Sequence, residues 1–212
     1  SEPNLQNIPI RTSEGVTIRE AFVASEGKKI LAMDYSQIEL RLMAHYSKDQ
    51  IMLDSFKNNE DIHKRTASEV FSVEMENVTD EMRRRAKTIN FGLLYGMSAF
   101  GLSNQLSVSR AEAEEFLLNY FAKYSSIKVF MKDVVEQAKK DKYVSTLYGR
   151  KIHVPNIESP NYMLRQASER AAVNGPLQGS AADIIKRAMI NIFKESGKNE
   201  KDVKMILQVH DE

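Results

Sequence analysis

The sequence predicts an α+β protein that is mostly helical, with short strands in its outer parts and an all-α segment between them. Three observations support this prediction. Short apolar runs occur near both ends of the chain, a long middle stretch follows helical periodicity, and 42% of the 212 residues are apolar, which is enough to build a core. The sequence contains no internal repeat, low-complexity tract or Gly/Ser linker.

Two short apolar runs predict buried strands, and each leads into an aspartate. Residues 30–33 end at Asp34, and residues 205–209 precede His210 and Asp211. A third β-prone piece occupies residues 143–147. We expect the first two strands to be neighbours in one sheet.

The middle of the chain, from Ser36 to about Lys142, has helical periodicity. Thr79, followed by two acidic residues, predicts one helix start, and Ser109 with Glu112 predicts a capping box at another. Helical periodicity resumes near Tyr162. We expect a break at Gly175–Pro176 and a further helix over residues 180–196.

The composition limits the possible partners and compartments. The 30 Lys and Arg residues nearly balance 29 Asp and Glu, so affinity for a polyanion must come from local patches. The chain has no Cys, which excludes disulfides and thiolate metal sites. No apolar run reaches the roughly 20 residues that a membrane-spanning helix needs. We therefore expect a soluble intracellular protein without a membrane partner. Both ends read as cuts in a longer chain.

Asp34 and Asp211 are far apart in sequence, but both follow predicted strands. If those strands are neighbours, the two carboxylates converge. Mg²⁺ prefers oxygen ligands and takes one or two carboxylates from a protein, so two aspartates suffice for a magnesium site of the kind used in nucleotidyl transfer. The alternative is that each aspartate only begins a turn.

A helix predicted at residues 80–96 carries Arg83, Lys87, Phe91 and Tyr95 at intervals of four, which places them on one face. Two cations come first and two aromatic rings follow, the order of polyphosphate and base in a nucleotide. The alternative is a surface helix with a solvated basic end and a buried aromatic end. No glycine-rich phosphate loop of the GxxxxGK[ST] type occurs, which disfavours a P-loop enzyme.

Three segments together resemble the polymerase motifs of the DNA polymerase I family (family A), in order: residues 34–41, 83–96 and 208–212. The resemblance extends to residues 4–9, 61–63, 66–67 and 170–186. It implies a polymerase palm, an antiparallel sheet packed on helices, with an inserted all-α fingers subdomain. The implied boundaries are residues 1–43 for the first part of the palm, 44–160 for the fingers, and 161–212 for the second part of the palm, truncated at its C-terminus.

The resemblance implies two catalytic Mg²⁺ ions, with Mn²⁺ as a possible substitute. Asp34 and Asp211 match the metal ligands, together with the backbone carbonyl of Tyr35. Glu212 matches a supporting residue beside them. Lys87 matches a proton donor to departing pyrophosphate.

The resemblance also implies how a deoxynucleoside triphosphate is bound. Arg83, Lys87 and His63 match contacts to the triphosphate. Phe91 matches the residue against the sugar and base and, lacking a phenolic hydroxyl, should disfavour dideoxynucleotides. Glu39 matches the steric gate against a ribose 2′-hydroxyl, and Tyr95 the ring beside the templating base.

Contacts to primer-template DNA are implied at a further set of positions: Arg170, Asn174, Gln178, His210, Asn4 and Gln6. Donors from Arg, Asn and Gln suit the minor groove, where every correct base pair presents acceptors. Taken alone, Asn174 before Gly175–Pro176 would be only a helix C-terminus.

The resemblance implies a monomeric DNA polymerase that acts in replication or repair, in the cytoplasm at a bacterial or phage nucleoid. An organellar or host-cell setting stays open. Two other interpretations also stay open: a related single-subunit RNA polymerase, and a non-catalytic primer-template binding module. Because the chain looks truncated, we expect the isolated fragment to be weakly active or inactive.

Overall fold

A computed structural model of the chain describes residue 8, residues 12–196 and residues 203–209. These residues are mostly helical, with one small antiparallel sheet, which confirms the predicted fold class. His210, Asp211, Glu212, Asn4 and Gln6 lie outside the described residues. None of the helices in the described ranges is long and apolar enough to cross a membrane.

The described elements follow one another as nine α-helices, one 3₁₀-helix and two strands. In chain order they are α1 (Ser13–Glu20), α2 (Ile38–Ser47), α3 (Gln50–Lys57), α4 (Ile62–Phe71), the 3₁₀-helix (Met75–Asn77), α5 (Asp80–Leu94), α6 (Ala99–Leu106), α7 (Arg110–Lys123), α8 (Ser125–Asp141), β1 (Tyr143–Ser145), β2 (Lys151–His153) and α9 (Tyr162–Ser196).

The chain divides into two compact units. One consists of residues 1–36 and 189–212, and the other of residues 37–188. In the first unit, α1 begins after Thr12, whose hydroxyl accepts a hydrogen bond from the Gly15 amide at 3.1 Å. These limits differ from the expected palm and fingers boundaries, and the assignment of palm and fingers stays a prediction.

The second unit has a helical core. Helix α4 packs against α5 and α7, and α2 packs against α3, α5 and α8. The largest buried side chains of this core include Leu40, Met43, Ile89 and Tyr120 on the helices and Tyr124 between α7 and α8. Each fully buried aliphatic side chain contributes about 1.5–3 kcal/mol to folding. This core holds α4 and α5 side by side.

The predicted capping residues are confirmed. The Thr79 hydroxyl accepts from the Met82 amide at 3.2 Å and begins α5. At the start of α7, the Ser109 hydroxyl accepts from the Glu112 amide at 3.2 Å, while the Glu112 carboxylate accepts from the Ser109 amide at 2.9 Å. Both caps satisfy amide groups that have no partner within the helix.

The prediction of strands at residues 30–33 and 205–209 is wrong, since both segments are irregular. A strand needs a hydrogen-bonded neighbour, and the paired strands of the described chain are β1 and β2, with Val144 opposite Ile152. The apolar run also predicted burial, yet Leu31 is 77% exposed and Ile206 is 71% exposed. The β-prone piece at residues 143–147 is confirmed as β1.

The predicted helix break at Gly175–Pro176 is also wrong, because α9 runs through both residues. An interior proline costs a helix about 3 kcal/mol and removes one hydrogen bond. Tertiary packing overrides this cost here. Pro176 is buried, and Gly175 lies so close to the hairpin that an added Cβ would meet Val144 Cγ2 at 2.9 Å.

Candidate functional site

Helix α5 presents the four residues predicted to share a face. Asp80 and Glu81 lie in its first turn, where their negative charges interact favourably with the positive end of the helix dipole. The helix ends at Leu94 with Tyr95 as its C-cap, and Gly96 follows with φ of 66°, the left-handed conformation that favours glycine after a helix. The face therefore extends over the whole helix and ends at a sharp change of chain direction.

The aromatic end of this face is ordered by stacking and by one hydrogen bond. The rings of Phe91 and Tyr95 have centroids 6.5 Å apart and planes inclined by 21°. The Tyr95 hydroxyl donates to Glu39 Oε2 at 2.9 Å, although the two residues are 56 positions apart. The structure thus brings together three of the predicted nucleotide-binding residues at the C-terminal end of α5.

The cationic end is tied to the start of α4. Arg83 Nε donates to Asp61 Oδ2 at 2.6 Å, and Asp61 Oδ1 accepts from the amides of His63 and Lys64. Burial acts to raise the pKa of Asp61, but the hydrogen bonds from Arg83 and the Lys64 amide outweigh it, so the pKa lies below its ordinary value. Asp61 is therefore an anion that orients Arg83.

His63 lies beneath this face and is 1% exposed. Its ring centroid is 5.8 Å from that of Phe91, and its Nδ1 is 3.1 Å from Asn90 Nδ2. Burial lowers the pKa of His63 to about 4; Asp61 opposes this shift, and Lys87 and Arg83 add to it. His63 is therefore neutral near pH 7, and its Nε2 has no hydrogen-bond partner within the described residues.

The predicted metal ligands are only partly within the described residues. Asp34 and Tyr35 are exposed and lie in the unit that contains residues 1–36, whereas Asp211 and Glu212 lie outside the described ranges. No group of three or more His, Cys, Asp or Glu side chains suited to a metal occurs in the part of the chain that the structure describes. The Asp34 carboxylate supplies oxygen ligands of the kind that Mg²⁺ prefers, and its pairing with Asp211 stays a prediction.

Comparison with known proteins identifies the family. The family model for DNA polymerase family A matches residues 1–212. The chain belongs to this family.

Several relatives resemble the chain over its whole length. DNA polymerase I of Pseudomonas aeruginosa is 54% identical over 215 residues, covering 100% of this chain and 23% of that protein. DNA polymerase I of Mycobacterium bovis is 49% identical over 213 residues, covering 100% of this chain and 24% of that protein. The solved polymerase domain of Pol1 from M. smegmatis, in complex with DNA primer-template and dNTP, is 48% identical with a TM-score of 0.92, covering 100% of this chain and 37% of that one. The chain spans about a quarter of the length of the curated relatives.

In this family A chain, the predicted DNA-binding residues of α9 follow one another at intervals of four. Arg170 and Gln178 are exposed, and Asn174 Oδ1 is buried without a partner among the described residues. The Arg170 side chain packs against Gly96, where an added Cβ would meet Arg170 Cγ at 2.7 Å. The end of α5 and this part of α9 are therefore in contact.

Two site residues were not predicted to have a role: Asn90 and Thr66. Both are buried, and Thr66 Oγ1 lies 3.0 Å from Asn90 Nδ2. A signal for Asn90 was present in the sequence, because it is a polar residue on the face of α5 that also carries the buried Ala86, Ile89 and Leu93. A buried polar side chain needs a hydrogen-bond partner, so a polar residue on an otherwise apolar face predicts a specific contact to another element.

Proposed function

We propose that the chain carries the nucleotide-addition site of a template-directed DNA polymerase. In the reaction, the 3′-oxygen of a primer attacks the α-phosphorus of a deoxynucleoside triphosphate, the bond to the β-phosphate breaks, and pyrophosphate leaves. The main support is the ordered face of α5, with cations in its N-terminal half and stacked rings at its C-terminal end. Membership of family A also supports the proposal.

In this proposal Arg83, Lys87 and His63 bind the triphosphate. Arg83 uses Nε for Asp61, and its remaining guanidinium donors suit phosphate oxygens. Lys87 is exposed on the same face, so its ammonium group can reach the leaving phosphate and donate a proton to pyrophosphate.

Phe91 and Tyr95 provide aromatic surfaces for the base, which stacks favourably on such rings. Phe91 lies against the sugar and base, and Tyr95 beside the templating base. Glu39 excludes a ribose 2′-hydroxyl. Its hydrogen bond from Tyr95 supports this role, because it restrains the carboxylate next to the aromatic end of α5.

We assign the metal site to Asp34 and Asp211, with the Tyr35 carbonyl and Glu212 in support. Bound Mg²⁺ would activate the attacking 3′-hydroxyl and stabilise the leaving group. Oxygen donors are the ligands this ion prefers, and Mn²⁺ shares that preference.

Primer-template DNA is the proposed partner of α9. Arg170, Asn174 and Gln178 contact the minor groove near the growing end, with His210, Asn4 and Gln6 as further contacts. In this arrangement residues 1–43 and 161–212 form the palm, and residues 44–160 the fingers. We propose that the protein acts as a monomer in the cytoplasm.

The test compares three substitutions in a full-length polymerase that carries these 212 residues. Arg83→Ala and Lys87→Ala should each lower kcat/KM for dNTP about 10- to 100-fold, since a hydrogen bond to a charged group contributes about 1.5–3 kcal/mol. Arg85→Ala is the matched control. Arg85 pairs with Glu81 at 2.7 Å, so its loss should change kcat/KM less than about 2-fold. Equal losses in all three variants would contradict the proposal.

Substrate choice is tested by primer extension with ribonucleotides in place of deoxynucleotides. We expect strong preference for deoxynucleotides and its reduction in Glu39→Ala. Equal rates with both substrates in the unaltered protein would end the DNA polymerase assignment in favour of an RNA polymerase.

A further inference from the structure

Asn90 joins α5 to α4 through a buried polar network. Its side chain is buried, with the residue 1% exposed, and its Nδ2 lies 3.1 Å from His63 Nδ1 and 3.0 Å from Thr66 Oγ1. Thr66 Oγ1 also donates to Asn90 Oδ1 at 3.2 Å and lies 3.4 Å from the Tyr124 hydroxyl. The amide of Asn90 is therefore restrained on the side away from the exposed face of α5.

The orientation of the Asn90 amide sets which nitrogen of His63 carries the hydrogen. The Asn90 amide is oriented with Nδ2 toward the ring; an amide nitrogen donates and does not accept, so in this orientation Nδ1 of His63 accepts and the ring hydrogen lies on Nε2. Nε2 is buried and has no partner within the described residues. A buried donor without an acceptor is costly, and a ligand oxygen that reaches it would remove that cost.

We propose that Asn90 is a positioning residue, which holds His63 neutral with its hydrogen on Nε2 and so makes that atom a directed donor to the incoming triphosphate. The inference rests on the proposed function, in which His63 contacts the triphosphate. It adds a residue that does not itself touch the substrate.

A neutral donor suits the charges around His63. Arg83 and Lys87 face it from α5, Asp61 faces it from the start of α4, and the hydroxyls of Thr66 and Tyr124 complete the far side of the network. The two cations already supply positive charge for a polyphosphate. A third cation beside them would add repulsion, whereas a neutral Nε2–H adds a hydrogen bond without it. The low pKa of His63 agrees with this arrangement.

Asn90→Asp is the informative substitution, because it preserves shape and removes the donor. A carboxylate only accepts, so Nδ1 must then carry a hydrogen. Near pH 8 the ring becomes the Nδ1–H tautomer and Nε2 loses its hydrogen; toward pH 6 the carboxylate favours the imidazolium, which restores a hydrogen on Nε2. Tyr124→Phe is the matched control, since it removes a buried hydroxyl that contacts Thr66 Oγ1 and leaves both hydrogen bonds between Thr66 and Asn90 in place.

The first measurement is the ¹⁵N NMR spectrum of the His63 ring in the 212-residue chain at pH 7 to 8. We expect the Nε2–H tautomer in the unaltered chain and in Tyr124→Phe, and the Nδ1–H tautomer in Asn90→Asp. An Nδ1–H tautomer in the unaltered chain would overturn the proposal without any variant.

The second measurement is the KM for dNTP in the full-length polymerase that carries this chain. Asn90→Asp should raise KM about 10-fold at pH 8 and less at pH 6, with a smaller change in kcat, and should have no further effect on KM in a His63→Gln background. A tautomer change without a change in KM would overturn the positioning role. Failure of the proposed function is separate, since it would show as absent extension by the unaltered polymerase while NMR still reports the tautomer.

Discussion

At the scale of single residues, His63 combines burial with charged neighbours on two helices. Water is excluded from its ring, so the protonated form is disfavoured, and the cations of α5 disfavour it further. Asp61 acts in the opposite direction, but it is already paired with Arg83. His63 is therefore neutral in the folded protein near pH 7, and it makes the stability of the fold depend on pH over a defined range.

We predict that this window appears in the free energy of unfolding. The pKa of His63 is about 4 in the folded chain, against an ordinary value near 6.5. Between these values the unfolded chain binds a proton that the folded chain does not, so the free energy of unfolding should fall as pH is lowered from about 6.5 to about 4. The full loss for this group is on the order of 3 kcal/mol.

Urea unfolding at several pH values measures this dependence, and His63→Gln is the comparison. In the variant, the free energy of unfolding should no longer show the dependence on pH that His63 contributes between pH 4 and 6.5. The dependence due to the carboxyl groups should remain. Parallel curves for the two proteins between pH 4 and 6.5 would show that His63 does not have the low pKa.

At the scale of elements, α9 and the β1–β2 hairpin determine each other's position. Arg150 in the turn donates from Nη2 to the Gly179 carbonyl and from Nε to Asp183, each at 2.9 Å. The Ser180 hydroxyl accepts from the Leu147 amide at 2.9 Å. These hydrogen bonds reach α9 just after Pro176. The hairpin therefore stabilises the part of α9 that has the lowest helix propensity.

We predict that Gly179→Ala destabilises the chain, although alanine is the better helix former by about 1 kcal/mol. A Cβ at this position would meet Thr146 Cγ2 at 2.7 Å and Ile152 Cδ1 at 2.8 Å, so the hairpin would have to move. Overpacking of this kind costs about 1–3 kcal/mol, which exceeds the gain in propensity.

Thermal or urea unfolding of the variant measures the effect. Gly92→Ala is the control on α5, because its nearest neighbour is the flexible Met97 side chain, with Sδ at 3.3 Å. That variant should be as stable as the unaltered chain within about 0.5 kcal/mol or slightly more stable. A Gly179→Ala chain as stable as the control would contradict the packing argument.

At the scale of the whole molecule, the charge is close to neutral, with a formal net charge of +1. Affinity for DNA rises with the number of phosphates that cationic side chains neutralise. We predict that the 212-residue chain alone binds primer-template weakly and extends it poorly, compared with a full-length polymerase that carries it.

Primer extension and binding titrations at several salt concentrations measure this difference. The isolated chain should show a shallower dependence of log affinity on log salt, because it contacts fewer phosphates. Efficient, processive synthesis by the isolated chain would contradict the prediction.

The sequence alone determined the features of this protein that depend on neighbours within a few residues. The start of α5 at Thr79, the capping box of Ser109 and Glu112, and the order of cations and rings on α5 all follow from spacings of three or four. Such spacings become contacts as soon as a helix forms. The motifs were also enough to indicate the family that the comparison confirmed.

Only the tertiary structure decided the contacts between distant segments. These include the pairing of Asp61 with Arg83, the hydrogen bond from Tyr95 to Glu39, and the placement of Asn90 against His63. The tertiary structure also decided that α9 continues through Pro176 and that residues 30–33 and 205–209, predicted as strands, are irregular. In each case the local sequence preference either was outweighed or did not specify the contact. The contacts that decide the outcome come from burial and from pairing with residues distant in sequence, which helical or strand periodicity does not bring together.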